Sequence, residues 1–401
     1  MRDRILCFFF SLFGIVYDAA AQEHQRLIVV PSGAGITSFD PLTNRYRTGS
    51  LAAVAAFAEQ WREELGAGNL SLVSWPEESG ESLGDRIYLS LVDSTLRRRM
   101  EHEAGYAASC ERDSLLNRFG VTPRAIDSLG ETEWLVADRY EVAGQAVVRT
   151  RRQDFRSIRP SERFAAHFSA DEKRVRHFFL TPAVELDTTI RARDGFFGPS
   201  SFSDLFHLFQ LETAPGAEVS IFAPPTPDAV LSAGPLTLGD VLNLFRFDNR
   251  LVTVRMTGRQ LQEWMEKIFG MRFFRIEGPH SDLVRSKVPY YLHDDVAGLR
   301  FRVDLTARYH HRVSIYETER GEPFDPKRLY TVVLNSFRAR DLVAMGLQPR
   351  VVATDYRLAL ARWLLARKTL HPRVRDNWSA APERWVRAIA ARERHTIFDR
   401  K

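Results

Sequence analysis

Two hydrophobic periods alternate along this chain. Arg26 to Val30 is a short apolar run that predicts a buried strand, closed by the turn-rich Pro31 to Gly35. Ser50 then precedes Leu51, Val54, Ala55, Ala58, Trp61 and Leu65 at helical spacing, with Gly66 as the stop. Leu70 to Val73 predicts a second strand, and strand, helix, strand opens an α/β unit with a parallel pair. From Glu77 to Ala108 the pattern is helical and charged, and Arg97-Arg98-Arg99 is read there as a solvated helix face. The polar, arginine-rich stretch Arg149 to Arg163, with Pro160, is placed as a domain boundary.

Beyond it the alternation resumes. Ser200 to Leu211 predicts a helix with Phe202, Leu205, Phe206 and Phe209 on one face and His207 off that face, at the surface. Gly216 ends this segment, and Ala217 to Phe222 follows as a strand. After a turn at Gly234-Pro235 come a helical start, Leu238 to Leu244, and a strand, Leu251 to Met256. The next helix starts at Thr257 as N-cap, with Gln260 at the capping-box position. Leu299–Asp304, Val313–Tyr316 and Tyr330–Leu334 predict further strands, and the last stretch, with tryptophans at 363, 378 and 385, predicts helix. Between two of these runs sits Arg246-Phe247-Asp248-Asn249, an aromatic ring framed by polar groups.

Composition narrows the classes. Hydrophobic residues at 44% and charged residues at 27% describe a globular chain, and 401 residues allow two or three domains. The formal charge of +5 is spread rather than striped, which argues against a nucleic-acid partner. Arg2 and Arg4, the apolar run Ile5 to Val16 and the small residues Ala19 to Ala21 have the layout of a signal peptide over residues 1–22. The run is shorter than the ~20 residues of a spanning helix, so export to a periplasm or secretion is expected, with no transmembrane segment after removal. Cys110 is then the one thiol left, which excludes an internal disulfide and a thiolate zinc site.

The order Gly234-Pro-Leu-Thr-x-Gly-Asp-Val241, Phe247-x-Asn249, strand, Thr257-Gly258, helix resembles the C-terminal domain of 5′-nucleotidases. The likeness continues in order through Ala297 to Asp304, Arg312-Val-Ser-Ile315, Gly321-Glu-Pro-Phe-Asp-Pro326 and Tyr330 to Phe337. It ends in Asp355-Tyr-Arg, Asn377-Trp and Pro382-Glu-Arg-Trp385, so that it spans residues 175–390. The resemblance implies an α/β (α+β) fold that holds a nucleoside by stacking its base between two phenylalanines. On this sequence the matching positions are Phe247 and Asn249, and Asn335 and Phe337. The asparagines either orient the ligand or pin the loops. Arg193, in Arg191-Ala-Arg-Asp194, is a further candidate, for charge near a phosphate.

Residues 26–80 resemble the start of the family's calcineurin-like metallophosphatase domain, through the first strand, the Thr48-Gly-Ser-Leu51 helix start and the second strand. The family's two divalent metal ions need an Asp-x-His pair where this chain reads Pro31-Ser-Gly-Ala-Gly35, and an aspartate where it reads Ser74-Trp-Pro-Glu-Glu78. Neither Gly-Asn-His nor Gly-His-x-His occurs. Paired-metal hydrolysis needs converging carboxylate and imidazole ligands. No metal cofactor or catalytic residue is assigned, with His310-His311 and Asp294-Asp295 the nearest, unconvincing, set. The family's arginine-ended loop is replaced by Ala223-Pro-Pro-Thr226, and its Gly-Gly-Asp run by Arg338-Ala-Arg-Asp341.

The expected organisation is a signal peptide at 1–22, a shortened, degenerate metallophosphatase-like region at 23–160 and a 5′-nucleotidase C-terminal-like domain at 161–401. Three functions remain open: non-catalytic binding of a nucleotide or nucleoside, nucleotide phosphohydrolysis through an unrecognised site or completed by a separate metallophosphatase chain, and a structural remnant.

Overall fold

Leu27 and Val29 point to one side of the strand Gln25–Pro31, and Ile28 and Val30 to the other; all four are buried, so the strand is covered on both faces. In the computed structural model, the structure describes residues 24–31, 39–40, 45–46, 50–75, 83–104, 106–107, 111–129, 133–142, 145–155, 158–245, 247 and 249–398. Residues 1–22, where a signal peptide is expected, Gly33-Ala-Gly35, Cys110, Glu77, Glu78, Arg246 and Asp248 lie outside the described residues. The chain divides after Leu180 into two compact units.

In the first unit Gln25–Pro31 pairs in parallel with Leu70–Trp75, as the strand-helix-strand pattern predicts. The helix between them, Leu51–Leu65, has Ser50 as N-cap and Gly66 just past its end. It buries Leu51, Val54 and Phe57, and Phe57 meets Trp134 edge-on at 5.4 Å. Leu115, Phe119 and Ile126 join Leu27, Val29, Leu135 and Ala137 in a single apolar cluster. The order of this sheet is Leu70–Trp75, Gln25–Pro31, Glu133–Val142, Gln145–Asp154.

That last strand corrects the sequence reading. Arg149 to Asp154 is no linker but part of an antiparallel hairpin with Glu133–Val142. It lies at the sheet edge and is exposed along most of its length, so it carries none of the apolar alternation that announces a strand. The break between units falls after Leu180, later than the boundary drawn at residue 160, because the helices Glu162–His167 and Ser169–Leu180 belong to the first unit.

The second unit is a mixed α/β fold. Its five-stranded sheet runs Asp295–Ala297, Val219–Phe222, Leu329–Asn335, Leu251–Thr257, Arg350–Ala353. The helix Gly258–Arg272 opens on the predicted capping box, with Thr257 and Gln260 exchanging hydrogen bonds. It buries Leu261, Trp264, Ile268 and Phe269, each such side chain worth about 1.5–3 kcal/mol. Phe269 packs on Phe301 and Trp378.

Trp378 itself corrects the expectation of an all-helical tail. Trp378–Ala381 is a strand in parallel register with Leu299–Asp304, flanked by the helices Tyr356–Leu365 and Glu383–Phe398. Its indole Nε1 donates to Asp295 Oδ1 at 2.7 Å. His207 is a second correction, since it is buried within the helix Ser201–Thr213. That helix is covered on most sides, so its polar residues pair internally. Ser220 Oγ lies 2.8 Å from His207 Nδ1 and 2.8 Å from the Gln210 side-chain amide. Burial pushes the imidazole down to about 3, so His207 is neutral.

Candidate functional site

The register of the two central strands sets the site. Leu251 pairs with Asn335, so the chain entering one strand and the chain leaving its antiparallel partner lie at the same end of the sheet. Phe247 stands just before the first strand, and Phe337 just after the second.

Two anchors from one helix hold the Phe247 corner. The Arg357 guanidinium donates to the Phe245 carbonyl at 3.1 Å, and the Tyr356 N–H donates to the Asn249 carbonyl at 2.8 Å. The Phe245 ring packs against Phe206 and Tyr356, at 5.2 Å from each. Phe247 does the opposite and is 76% exposed. A core ring at this corner would gain burial energy that Phe247 forgoes.

Phe337 lies in the first turn of the helix Ser336–Ala344, half-buried. Asn335 is the N-cap, its Oδ1 accepting from the Arg338 N–H at 3.0 Å. The Ser336 hydroxyl donates to Asn249 Oδ1 at 3.3 Å and accepts from the Arg250 N–H at 3.0 Å. Asn249 Oδ1 thus ties its corner to the other, while Asn335 Oδ1 caps its own helix.

The corners enclose a cleft of about 740 Å³, within the size range of small-molecule sites. Phe247, Asn249, Asn335 and Phe337 all line it, with Ala223, Pro225, Phe245, Arg250, Tyr291, Ser336 and Arg340. Tyr291 meets Phe337 edge-on at 5.9 Å, and the Arg340 guanidinium lies 4.5 Å from the Phe337 ring centre. Arg250, Tyr291 and Arg340 are lining residues that sequence reasoning missed. Arg340 was legible in principle: on a helix, the residue three after Phe337 shares its face.

Arg338, two residues earlier, turns inward. Its guanidinium donates to both carboxylate oxygens of Asp294, and the two side chains are 3% and 0% exposed. Burial raises the Asp294 carboxyl despite this cation. Arg193 is not among the cleft's lining residues; its guanidinium lies 5.4 Å from the Phe398 ring centre, on the 3-10 turn Ala192–Phe196. A smaller pocket, lined by Glu212, Glu218, Glu319 and Glu322, is a set of ion pairs to Arg367, Arg328 and Arg375.

A paired-metal site does not fit the described residues. Among the described residues no three His, Cys, Asp or Glu side chains converge. Asp294 is held by Arg338 and Asp295 by Trp378, while His310 and His311 are exposed. Of the segments outside the described residues, 32–38 carries no His, Cys, Asp or Glu, and 76–82 carries only the glutamates 77, 78 and 81.

Comparison with known proteins gives the class. The model of the 5′-nucleotidase C-terminal domain family matches residues 181–345 of this chain. The match begins where the second unit begins. The chain is 34% identical over 132 residues to the 2′,3′-cyclic-nucleotide 2′-phosphodiesterase/3′-nucleotidase of Haemophilus influenzae, covering 29% of this chain and 20% of that one. It is 26% identical over 176 residues to the trifunctional nucleotide phosphoesterase protein YfkN of Bacillus subtilis, covering 38% of this chain and 12% of that one. The matches thus span a fifth or less of these two relatives' lengths. Among solved structures, the 5′-nucleotidase precursor from Thermus thermophilus aligns over 90% of this chain and 100% of its own, at 13% identity and a TM-score of 0.44.

Proposed function

We propose that the C-terminal unit binds a nucleotide or nucleoside, taking the base between Phe247 and Phe337, and that the chain does not hydrolyse it unaided. The observation that carries this reading is the outward ring of Phe247, placed on the same cleft as Phe337 while its neighbour Phe245 packs inward. Every base offers a π-face, and aromatic stacking contributes about 1–3 kcal/mol per base. The missing hydrolytic half rests on the sequence: where family members carry an Asp-x-His pair and a further aspartate, this chain reads Pro31-Ser-Gly-Ala-Gly35 and Ser74-Trp-Pro-Glu-Glu78.

Isothermal calorimetry with adenosine and other nucleosides tests the binding. Saturable heat is expected from the purified chain, and no heat from any nucleoside would overturn it. Phosphate release from AMP, assayed with added divalent ions, tests the second part; turnover by the chain alone would contradict it. Export belongs to the same reading, on the pattern of residues 1–22. N-terminal sequencing of the mature protein is expected to start after Ala21 or Gln22.

A further inference from the structure

The four-stranded sheet of the first unit treats its two edges differently. At Leu70–Trp75 the edge is covered: Leu72 bridges in parallel to Tyr106, and its carbonyl accepts from the Ala107 N–H at 2.9 Å. At Gln145–Asp154 the ladder stops. Among the described residues, no backbone group outside its own hairpin bonds to this strand.

An open edge is a small liability when it is short, bulged or broken by proline, and this one is none of these. It runs ten residues, about twice the usual strand, and every residue pairs with Glu133–Val142 in unbroken register. Charge guards it instead. Arg149, Arg151 and Arg152 are all exposed. Arg152 reaches Glu133 at 3.2 Å, and Arg151 lies 4.0 Å from Asp138. Arg149 has no ion-pair partner among the described residues.

Strand alternation puts Val147, Arg149 and Arg151 on one face of the sheet, while Val148 on the other face packs against the apolar cluster of this unit. A second copy of the same strand laid along the edge would bring arginine towards arginine, and like charges on paired strands repel. The guard therefore works against self-pairing. It does not work against an acidic strand, whose carboxylates at alternate positions would fall on the face of Arg149 and Arg151.

We propose that the Gln145–Asp154 edge is a docking surface for an extended, acidic segment of another protein, which adds to this sheet as a further strand. Backbone hydrogen bonds to the open ladder supply the affinity, and the arginines select the sign of the partner's charge.

The test uses the full chain and labelled peptides matched in length to the edge strand, followed by fluorescence anisotropy. One peptide alternates threonine and glutamate, one alternates threonine and lysine, and one is the glutamate peptide N-methylated throughout, which keeps every charge and has no backbone N–H to donate. The glutamate peptide is expected to bind and the lysine peptide not to. N-methylation and Arg149→Glu are each expected to weaken binding by about tenfold. Arg149 is exposed, so the variant is expected to fold, and an unchanged thermal unfolding curve checks this. Hydrogen exchange is expected to show the amides of Gln145–Asp154 protected when the glutamate peptide is added. No binding of the glutamate peptide overturns the proposal. Equal binding of the N-methylated peptide reduces the effect to attraction of a polyanion and overturns it too, as does binding that Arg149→Glu leaves unchanged. A dimer of the chain alone that protects the same amides assigns the edge to a second copy, and is likewise a contradiction.

Discussion

The Ser336 hydroxyl donates to the side-chain oxygen of Asn249 at 3.3 Å, and this contact ties the corner that carries Phe247 to the corner that carries Phe337. The same serine accepts from the Arg250 N–H, and its own N–H donates to the Arg250 carbonyl at 2.9 Å. Ser336→Ala removes the side-chain bonds and keeps the backbone one. A loss of about 1 kcal/mol in stability is expected by denaturant unfolding, together with weaker adenosine binding.

Asn335→Ala removes the N-cap of the Phe337 helix. The expected cost is about 1 kcal/mol, while Asn335→Ser, which keeps a capping oxygen, stays close to wild type. Thermal unfolding of the two variants checks the difference. Equal destabilisation by both would show that the amide does something other than cap.

Arg338 and Asp294 form a buried ion pair, so deleting one partner strands the other. Asp294→Ala is expected to cost about 3–5 kcal/mol. Arg340→Ala, on the same helix but exposed, is expected to change stability by less than about 0.5 kcal/mol. Urea unfolding midpoints separate the two arginine environments.

Two groups on the helix Ser201–Thr213 act in opposite senses on stability against pH. Burial holds His207 down to about 3 in the folded state, against an unfolded value near 6.5. Between those values the unfolded chain binds more protons, so this contribution is lost as pH falls from 6.5 towards 3. Burial, with Asp295 and Glu319 nearby, pushes the Asp204 carboxyl up to about 7, against an unfolded value near 3.9. Its contribution is present at acid pH and is lost as pH rises from about 4 towards 7. His207→Gln is therefore expected to lose stability more steeply than wild type as pH rises from 4 to 6.5, and Asp204→Asn to gain stability over the same range. Identical slopes in the wild type and both variants would contradict the assignment.

Much of the second unit was legible because its signals are local. The Thr257/Gln260 capping box, the strand Leu251–Thr257 and the helix starting at Ser200 follow from spacing and cap chemistry alone. The outward turn of Phe247 was not. It depends on anchors from Tyr356 and Arg357, a hundred residues away, and on the pairing of Leu251 with Asn335. His207 was misplaced because a helix buried almost all round has no polar face to read. The hairpin strand Gln145–Asp154 was missed for the converse reason, since an exposed edge strand has no apolar face. Arg340 was passed over because Arg338-Ala-Arg-Asp341 reads as one charged run, whereas the helix sends Arg338 to Asp294 and Arg340 to the cleft.

The central claim is that Phe247 and Phe337 form a base-stacking pair, and adenosine affinity measured by calorimetry in the wild type, Phe247→Ala, Phe337→Ala and the double variant tests it most directly. Each single variant is expected to lose about 1–3 kcal/mol of binding, roughly 5-fold to 150-fold in affinity, with the fold left intact for the exposed Phe247. An adenosine affinity unchanged by Phe247→Ala would contradict the account.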